Sequence, residues 1–155
     1  MRSATQALAG HLRSGMLVLM VDLGHRLGLF EAAAGAGRLT AAQLAGRAGC
    51  DTRNVEEWLG AVTTGGIFVL HDDGRYELPA AWVPVLTGQG PGNVARSAAL
   101  VTALAPVVPA AAEAIRTGEG LPYEAYQPGF AEAVAVGSGP LFEAALADGY
   151  LAAAP

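Results

Sequence analysis

The sequence predicts a mainly α fold: a winged helix-turn-helix of three helices and a β-hairpin wing, with additional long helices behind it. Three observations carry that prediction. Two short helical stretches meet at a glycine in "LTAAQLAGRAGCDTRNVEEWLGAVTTGG", residues 39–66. Two short apolar stretches flank Asp73-Gly74 in "IFVLHDDGRYEL", a hairpin signal. Ahead of both, apolar residues recur at spacings of three and four, the mark of an amphipathic helix.

The first helix carries Leu8, Leu12, Met16, Leu19, Leu23, Leu27 and Phe30 as one stripe. Over residues 16–21 every face is apolar. The middle of the helix therefore needs cover on more than one side, and in a chain this small a second subunit is a reasonable cover. The stretch "GMLVLMV" behind Arg2, His11 and Arg13 imitates a signal peptide, but Asp22 closes the run too early. No uninterrupted apolar run approaches the ~20 residues of a transmembrane span, so no membrane partner is expected.

Thr40 is a good N-cap for a helix over "AAQLAGRA", and Gly49 supplies the left-handed residue that ends it. Asp51 or Thr52 caps the next helix, which runs through "RNVEEWLGAVTT" to Gly65 and Gly66. Val55, Trp58, Leu59 and Val62 share one face of it and should pack on the preceding helix. Its outward residues are Arg53, Asn54, Glu56 and Glu57, and the wing tip sets Asp72 and Asp73 against Arg75. Reading DNA requires Arg, Lys, Asn and Gln directed at base edges and phosphates. Residues 1–80 hold seven Arg and eight acids, and the whole chain has a formal net charge of −5. No basic stripe emerges, so DNA is an unlikely partner and the module is expected to serve packing and dimerisation.

Behind the wing, "NVARSAALVTALAPVVPAAAEAIR" reads as a long apolar helical segment bent or interrupted at Pro106 and Pro109. A loop, "TGEGLPYEAYQPGF", follows, with Tyr123 and Tyr126 offering aromatic area with a polar tip. They suit a ligand lid, a domain interface or plain packing of a Pro-rich loop. The G-x-G in "VAVGSGP" is faintly like a cofactor-binding turn, but the third glycine is absent and no acidic residue follows at the ribose distance. The expected reading is a helix break, with Gly137, Gly139 and Pro140 ending one helix and Pro140 opening the next.

Composition excludes several chemistries. The chain is 52% hydrophobic and 15% charged over 155 residues, enough for a packed core and against disorder. All nine basic residues are Arg. The single cysteine, Cys50, rules out an internal disulfide and a cysteine-rich metal site; it reads as a small packed residue of a cytoplasmic protein. His11, His25 and His71 are too scattered for a metal motif. No G-x-S-x-G elbow is present, and adjacent Glu56 and Glu57 make a poor carboxylate pair. No catalytic, cofactor-binding or metal-binding residue is expected in this chain. His25, at the end of the first helix, suits hydrogen bonding to the last carbonyls there, with substrate contact as the alternative.

"LGHRLGLFEAAAG", the helix-turn-helix and hairpin stretch, "VPVLTG", "GLPYEAYQPGFAEAV" and "GPLFEAALADGYLAAAP" resemble, in that order, the N-terminal region of actinobacterial small-molecule S-adenosylmethionine-dependent class I methyltransferases. In that family a winged helix and a few lid helices precede a Rossmann-like catalytic domain. The resemblance implies a homodimer formed through the N-terminal helix and the helical region. It also implies a substrate lid, with His25, Tyr123, Tyr126, Phe130 and Phe142 as candidates for the walls of a small-molecule pocket. Small residues around 137–140 depart from the bulkier family pattern and put inherited pocket contacts there in doubt. S-adenosylmethionine is the cofactor implied for a full-length relative.

Residues 1–90 are thus expected to form the N-terminal helix plus winged helix, and 91–155 a helical lid or linker region. At Pro155 the resemblance calls next for a linker and the first strand of a nucleotide-binding sheet, so the sequence is expected to be a fragment of a longer enzyme or a gene that lacks its catalytic half. Two other readings stay open: a stand-alone winged-helix regulator of DNA or a small ligand, and a small dimeric enzyme or ligand-binding protein with a helical pocket.

Overall fold

The computed structural model describes residues 3–88, 90, 92–126, 129–146 and 149, with the side chains of 140, 141, 143 and 144 outside that description. The chain divides into two units, Met1–Gly88 and Gln89–Pro155. The first contains α1 (Ala4–Arg26), α2 (Leu29–Ala33), α3 (Ala41–Ala48), α4 (Thr52–Thr64), β1 (Val69–Leu70), β2 (Tyr76–Glu77) and α5 (Val83–Leu86). The second contains a 3₁₀ turn over Val94–Ser97, then α6 (Ala98–Leu104), a 3₁₀ turn over Ala105–Val107, α7 (Val108–Thr117), a third 3₁₀ turn over Tyr123–Ala125 and α8 (Gly129–Ala145).

Local signals start and stop the helix-turn-helix. Thr40 accepts a hydrogen bond from the Gln43 amide at 3.2 Å while the Gln43 side chain accepts one from the Thr40 amide at 2.9 Å. This reciprocal capping box satisfies two of the four amides a helix start leaves open. Gly49 ends α3 in the left-handed conformation, at φ 67°. The Asp51 carboxylate then caps α4 by accepting from the Asn54 amide at 3.0 Å. Val55, Trp58, Leu59 and Val62 are all buried, as their spacing predicts.

The core of this unit is aromatic. Trp58 stands edge-on to Phe30 and to Phe68, with ring centroids 5.4 and 5.6 Å apart. Its indole N–H donates to the Met20 carbonyl at 2.8 Å, tying α4 to α1. Gly24 lets the helix approach: a Cβ there would lie 2.5 Å from Trp58 Cζ2 and 2.7 Å from a Phe30 ring carbon. The wing is an antiparallel pair, Val69 opposite Glu77 and Leu70 opposite Tyr76. Leu39 adds one further rung on the other edge of β2, through two 2.8 Å bonds with Tyr76.

Three expectations need correction. The first helix does not run on to Phe30: it ends at Arg26, Gly28 takes φ 65°, and Leu29 and Phe30 belong to α2. Nor do Gly137, Gly139 and Pro140 break a helix, because α8 is continuous from Gly129 to Ala145. A Cβ on Gly137 would lie 3.6 Å from the Ser97 backbone, and Ala133 and Ala98 are buried. Small residues therefore let α8 pack onto α6 and its preceding turn, outweighing the hydrogen bond a helical proline forgoes. Finally, Ala4–Arg26 and Val94–Thr117 are both long and apolar enough, by length and composition, to cross a bilayer. Isolated charges such as Arg13, Asp22 and Arg96 interrupt the apolar runs without making either segment polar on average. Only 11% of each apolar stretch is buried, and Pro106 and Pro109 open the 3₁₀ turn and α7 in the second of them.

Candidate functional site

One concavity of the first unit is an open groove of about 960 Å³ between α1 and α4. Leu12, Met16, Leu17 and Met20 form its apolar wall, Gly60, Ala61 and Gly65 contribute small residues, and Arg13 and Glu57 add opposite charges. Leu8, Leu12 and Met16 are each about 60% exposed, so the stripe read from the sequence faces outward over its first half. A smaller recess of about 360 Å³ lies beside Leu23, Leu27 and Trp58, with Cys50, Asp51 and Asn54 at its polar edge. Asp51 is occupied there as a helix cap. The Cys50 thiol is half-buried and donates to the Ala48 carbonyl at 3.5 Å.

His25 sits in the last turn of α1 with its Nδ1 buried and without a hydrogen-bond partner. The capping role expected of it is filled instead by the backbone: the Leu27 amide donates to the Leu23 carbonyl at 3.0 Å and the Gly28 amide to the His25 carbonyl at 3.2 Å. In the second unit, Tyr123, Tyr126 and Phe130 form a row of rings with centroids 6.2 and 4.7 Å apart. Tyr123 is 69% exposed. Phe142, also exposed, lies about 18 Å farther along α8 by helix rise. The structure thus joins three of the five pocket candidates into one cluster, while Phe142 stands apart along its helix and His25 belongs to the other unit.

The surface that a winged helix would turn to nucleic acid is not basic. Arg53, Asn54, Glu56 and Glu57 are exposed on α4. On the wing, Arg38 faces Asp73 at 3.7 Å and Glu77 at 4.0 Å, Arg75 faces Asp73 at 4.0 Å, and His71 Nε2 is 2.8 Å from a Glu77 carboxylate oxygen. Each wing cation already faces a carboxylate, which leaves little positive potential for a phosphate backbone.

This arrangement, α1 through the wing, matches the family model described as the Rv2258c-like winged HTH domain over residues 15–88. The solved structures similar to the chain extend beyond the winged helix. "PigF with SAH" shares 21% identity at TM-score 0.69, covering 94% of this chain and 45% of that one. The Streptomyces davawensis N,N-8-amino-8-demethyl-D-riboflavin dimethyltransferase RosA shares 22% at TM-score 0.64, covering 97% and 48%. Human N-acetylserotonin methyltransferase, solved in complex with SAM, shares 18% at TM-score 0.63, covering 90% and 43%. At these identities the likeness establishes the fold. The winged helix and the helices behind it match the N-terminal region of such proteins, and the chain spans under half the length of each. No curated protein matches the sequence.

The G-x-G at 137–139 does not fit S-adenosylmethionine. Gly137 and Gly139 lie within α8, neither takes a positive φ, and the G-x-G lacks the strand-to-helix turn that brings backbone amides to such a ligand. Beside the winged helix domain, sequence reasoning missed the Arg13–Glu57 groove and the His71–Glu77 pair. Glycines inside helices, Gly10 and Gly60, were the available signal for the groove; the pair depends on strand register, which the sequence does not print.

Proposed function

We propose that this chain is the dimerisation and substrate-lid region of a small-molecule S-adenosylmethionine-dependent methyltransferase, catalytically incomplete on its own. One observation carries the reading. Structures named as methyltransferases share this fold over 90–97% of the chain, yet that match takes in only 43–48% of their own length. Donor binding and methyl transfer then belong to the portion of such an enzyme beyond the matched region.

In this reading, residues 1–90 supply the N-terminal helix and winged helix and 91–155 the helical lid. The homodimer forms through the exposed apolar faces of α1 and of the helical region. Leu12 and Met16 in the first unit, and Val94, Val108 and Ile115 in the second, are large apolar side chains each more than 60% exposed. Tyr123, Tyr126 and Phe130 offer ring faces and two phenol hydroxyls to a small substrate, with His25 and Phe142 as further pocket-wall candidates. A lone free thiol and the lack of any disulfide partner for it suit the cytoplasm.

Calorimetric titration of the purified chain with S-adenosylmethionine tests the central claim. No stoichiometric heat is expected, whereas one-to-one uptake overturns the assignment of donor binding elsewhere. Sedimentation equilibrium tests the other half. A mass of two chains is expected at micromolar concentration, and a monomer at every concentration overturns the dimerisation role.

A further inference from the structure

We propose that the row Tyr123, Tyr126 and Phe130, with Glu124 beside it, selects small-molecule substrates that carry a protonated amine or quaternary ammonium on an aromatic or apolar skeleton. The proposal rests on the lid reading above and adds the charge class of what the lid meets.

Three observations converge on a cation. The row is graded in exposure: Tyr123 is 69% exposed, Tyr126 and Phe130 are half-buried, and the rings follow one another at centroid distances of 6.2 and 4.7 Å. An arriving ligand therefore meets an open tyrosine ring backed by two others. Ring faces carry the negative part of the aromatic quadrupole, so a cation over them is attracted. Glu124 adds a full charge of the same sign. It shares the 3₁₀ turn Tyr123–Ala125 with the outermost ring, it is exposed, and among the described residues no ion pair or hydrogen bond occupies its carboxylate. The rest of the unit supplies no competing cation. Residues 89–155 hold six acidic residues, two Arg and no Lys or His. Arg96 is 8% exposed, and Arg116 already donates to the Glu113 carboxylate through Nε and Nη2. An anionic substrate would find no open counter-charge on this unit, whereas an ammonium finds rings for its skeleton and a carboxylate for its charge.

The test uses the full 155-residue chain, ¹³C-labelled at tyrosine and followed by NMR at neutral pH and low salt, where surface charges are least screened. Two probes are titrated: phenethylamine, a cation under these conditions, and phenylpropionate, which keeps the phenyl ring on a chain of similar length and reverses the charge. The amine is expected to shift the Tyr123 and Tyr126 ring signals saturably, and the carboxylate to bind at least about threefold more weakly, as one exposed cation–π contact implies. Tyr123→Leu and Glu124→Gln, both at exposed positions and checked for folding by circular dichroism, are each expected to weaken amine binding about two- to fivefold. Glu124→Gln is expected to leave the carboxylate probe no weaker. Equal binding of both probes overturns the charge selectivity and leaves the lid standing. An amine preference untouched by both substitutions overturns this site. Ring signals that respond to neither probe overturn the lid role of the row and this proposal together.

Discussion

Trp58 donates its indole N–H to the carbonyl oxygen of Met20, 38 positions earlier, at 2.8 Å. This bond fixes α4 against α1 at the point where the aromatic core of the first unit begins. Trp58→Phe keeps most of the ring but removes this bond, leaving the Met20 carbonyl only its intrahelical partner, the Gly24 amide. It is expected to lower stability by about 0.5–1.5 kcal/mol, and Trp58→Ala by about 3–5 kcal/mol, as read from urea unfolding followed by circular dichroism. Equal losses for the two variants would show that ring packing contributes nothing beyond the hydrogen bond.

Two glycines in helices should respond in opposite directions. At Gly24 an added methyl would collide with Trp58 and Phe30, at 2.5 and 2.7 Å, both held in the packed core. Gly24→Ala is expected to cost about 1–3 kcal/mol through overpacking. Gly46, in α3, has open space where its Cβ would stand. Gly46→Ala is expected to add about 0.5–1 kcal/mol through helix propensity. Thermal unfolding midpoints of the two variants check the sign of each.

The aromatic row predicts an order of effects in the second unit. Tyr126 touches rings on both sides, whereas Tyr123 has one ring neighbour and stands mostly in solvent. Each ring pair contributes about 0.5–1.5 kcal/mol beyond burial. Tyr126→Ala should therefore destabilise more than Tyr123→Ala in denaturant titrations, and the reverse order would dissolve the cluster as a unit.

On α7, Arg116 donates to the Glu113 carboxylate through both Nε and Nη2. That hydrogen bonding holds the Glu113 pKa below its ordinary value, against a small opposing effect of desolvation. A depressed carboxylate pKa favours the folded state above the unfolded pKa, and the contribution fades as pH falls through the lower, folded value. Both side chains are well exposed, so the effect on global stability is small. The measurable consequence is local. Glu113 is expected to titrate below the ordinary glutamate range by carbon-detected NMR, and Arg116→Gln should return its midpoint toward that range.

Much of the winged helix was legible because its signals are local. The Thr40–Gln43 capping box, Gly49 at the turn, the Asp51 cap and the periodic face of α4 each involve residues within four positions of one another. Elements that depend on tertiary contact were not. The apolar spacing Leu23, Leu27, Phe30 stays in phase across the break at Gly28, so periodicity alone runs two helices together. The breakers at 137–140 are overridden by close packing of α8 at Ser97, a contact 40 residues away in sequence. The same limit applies to the candidate site. Tyr123, Tyr126 and Phe130 are near neighbours in the chain and their clustering follows from spacing, whereas Arg13 and Glu57 share a groove only because α1 folds onto α4.

The rung that Leu39 adds to the wing has a mechanical consequence. A ladder of two residues per strand is too short to persist by itself in water. The Leu39–Tyr76 bonds anchor it to the segment that leads directly into α3. The hairpin therefore borrows its rigidity from the start of the helix-turn-helix, and anything that pried α3 loose would slacken the wing tip at the same moment, making the two a single lever.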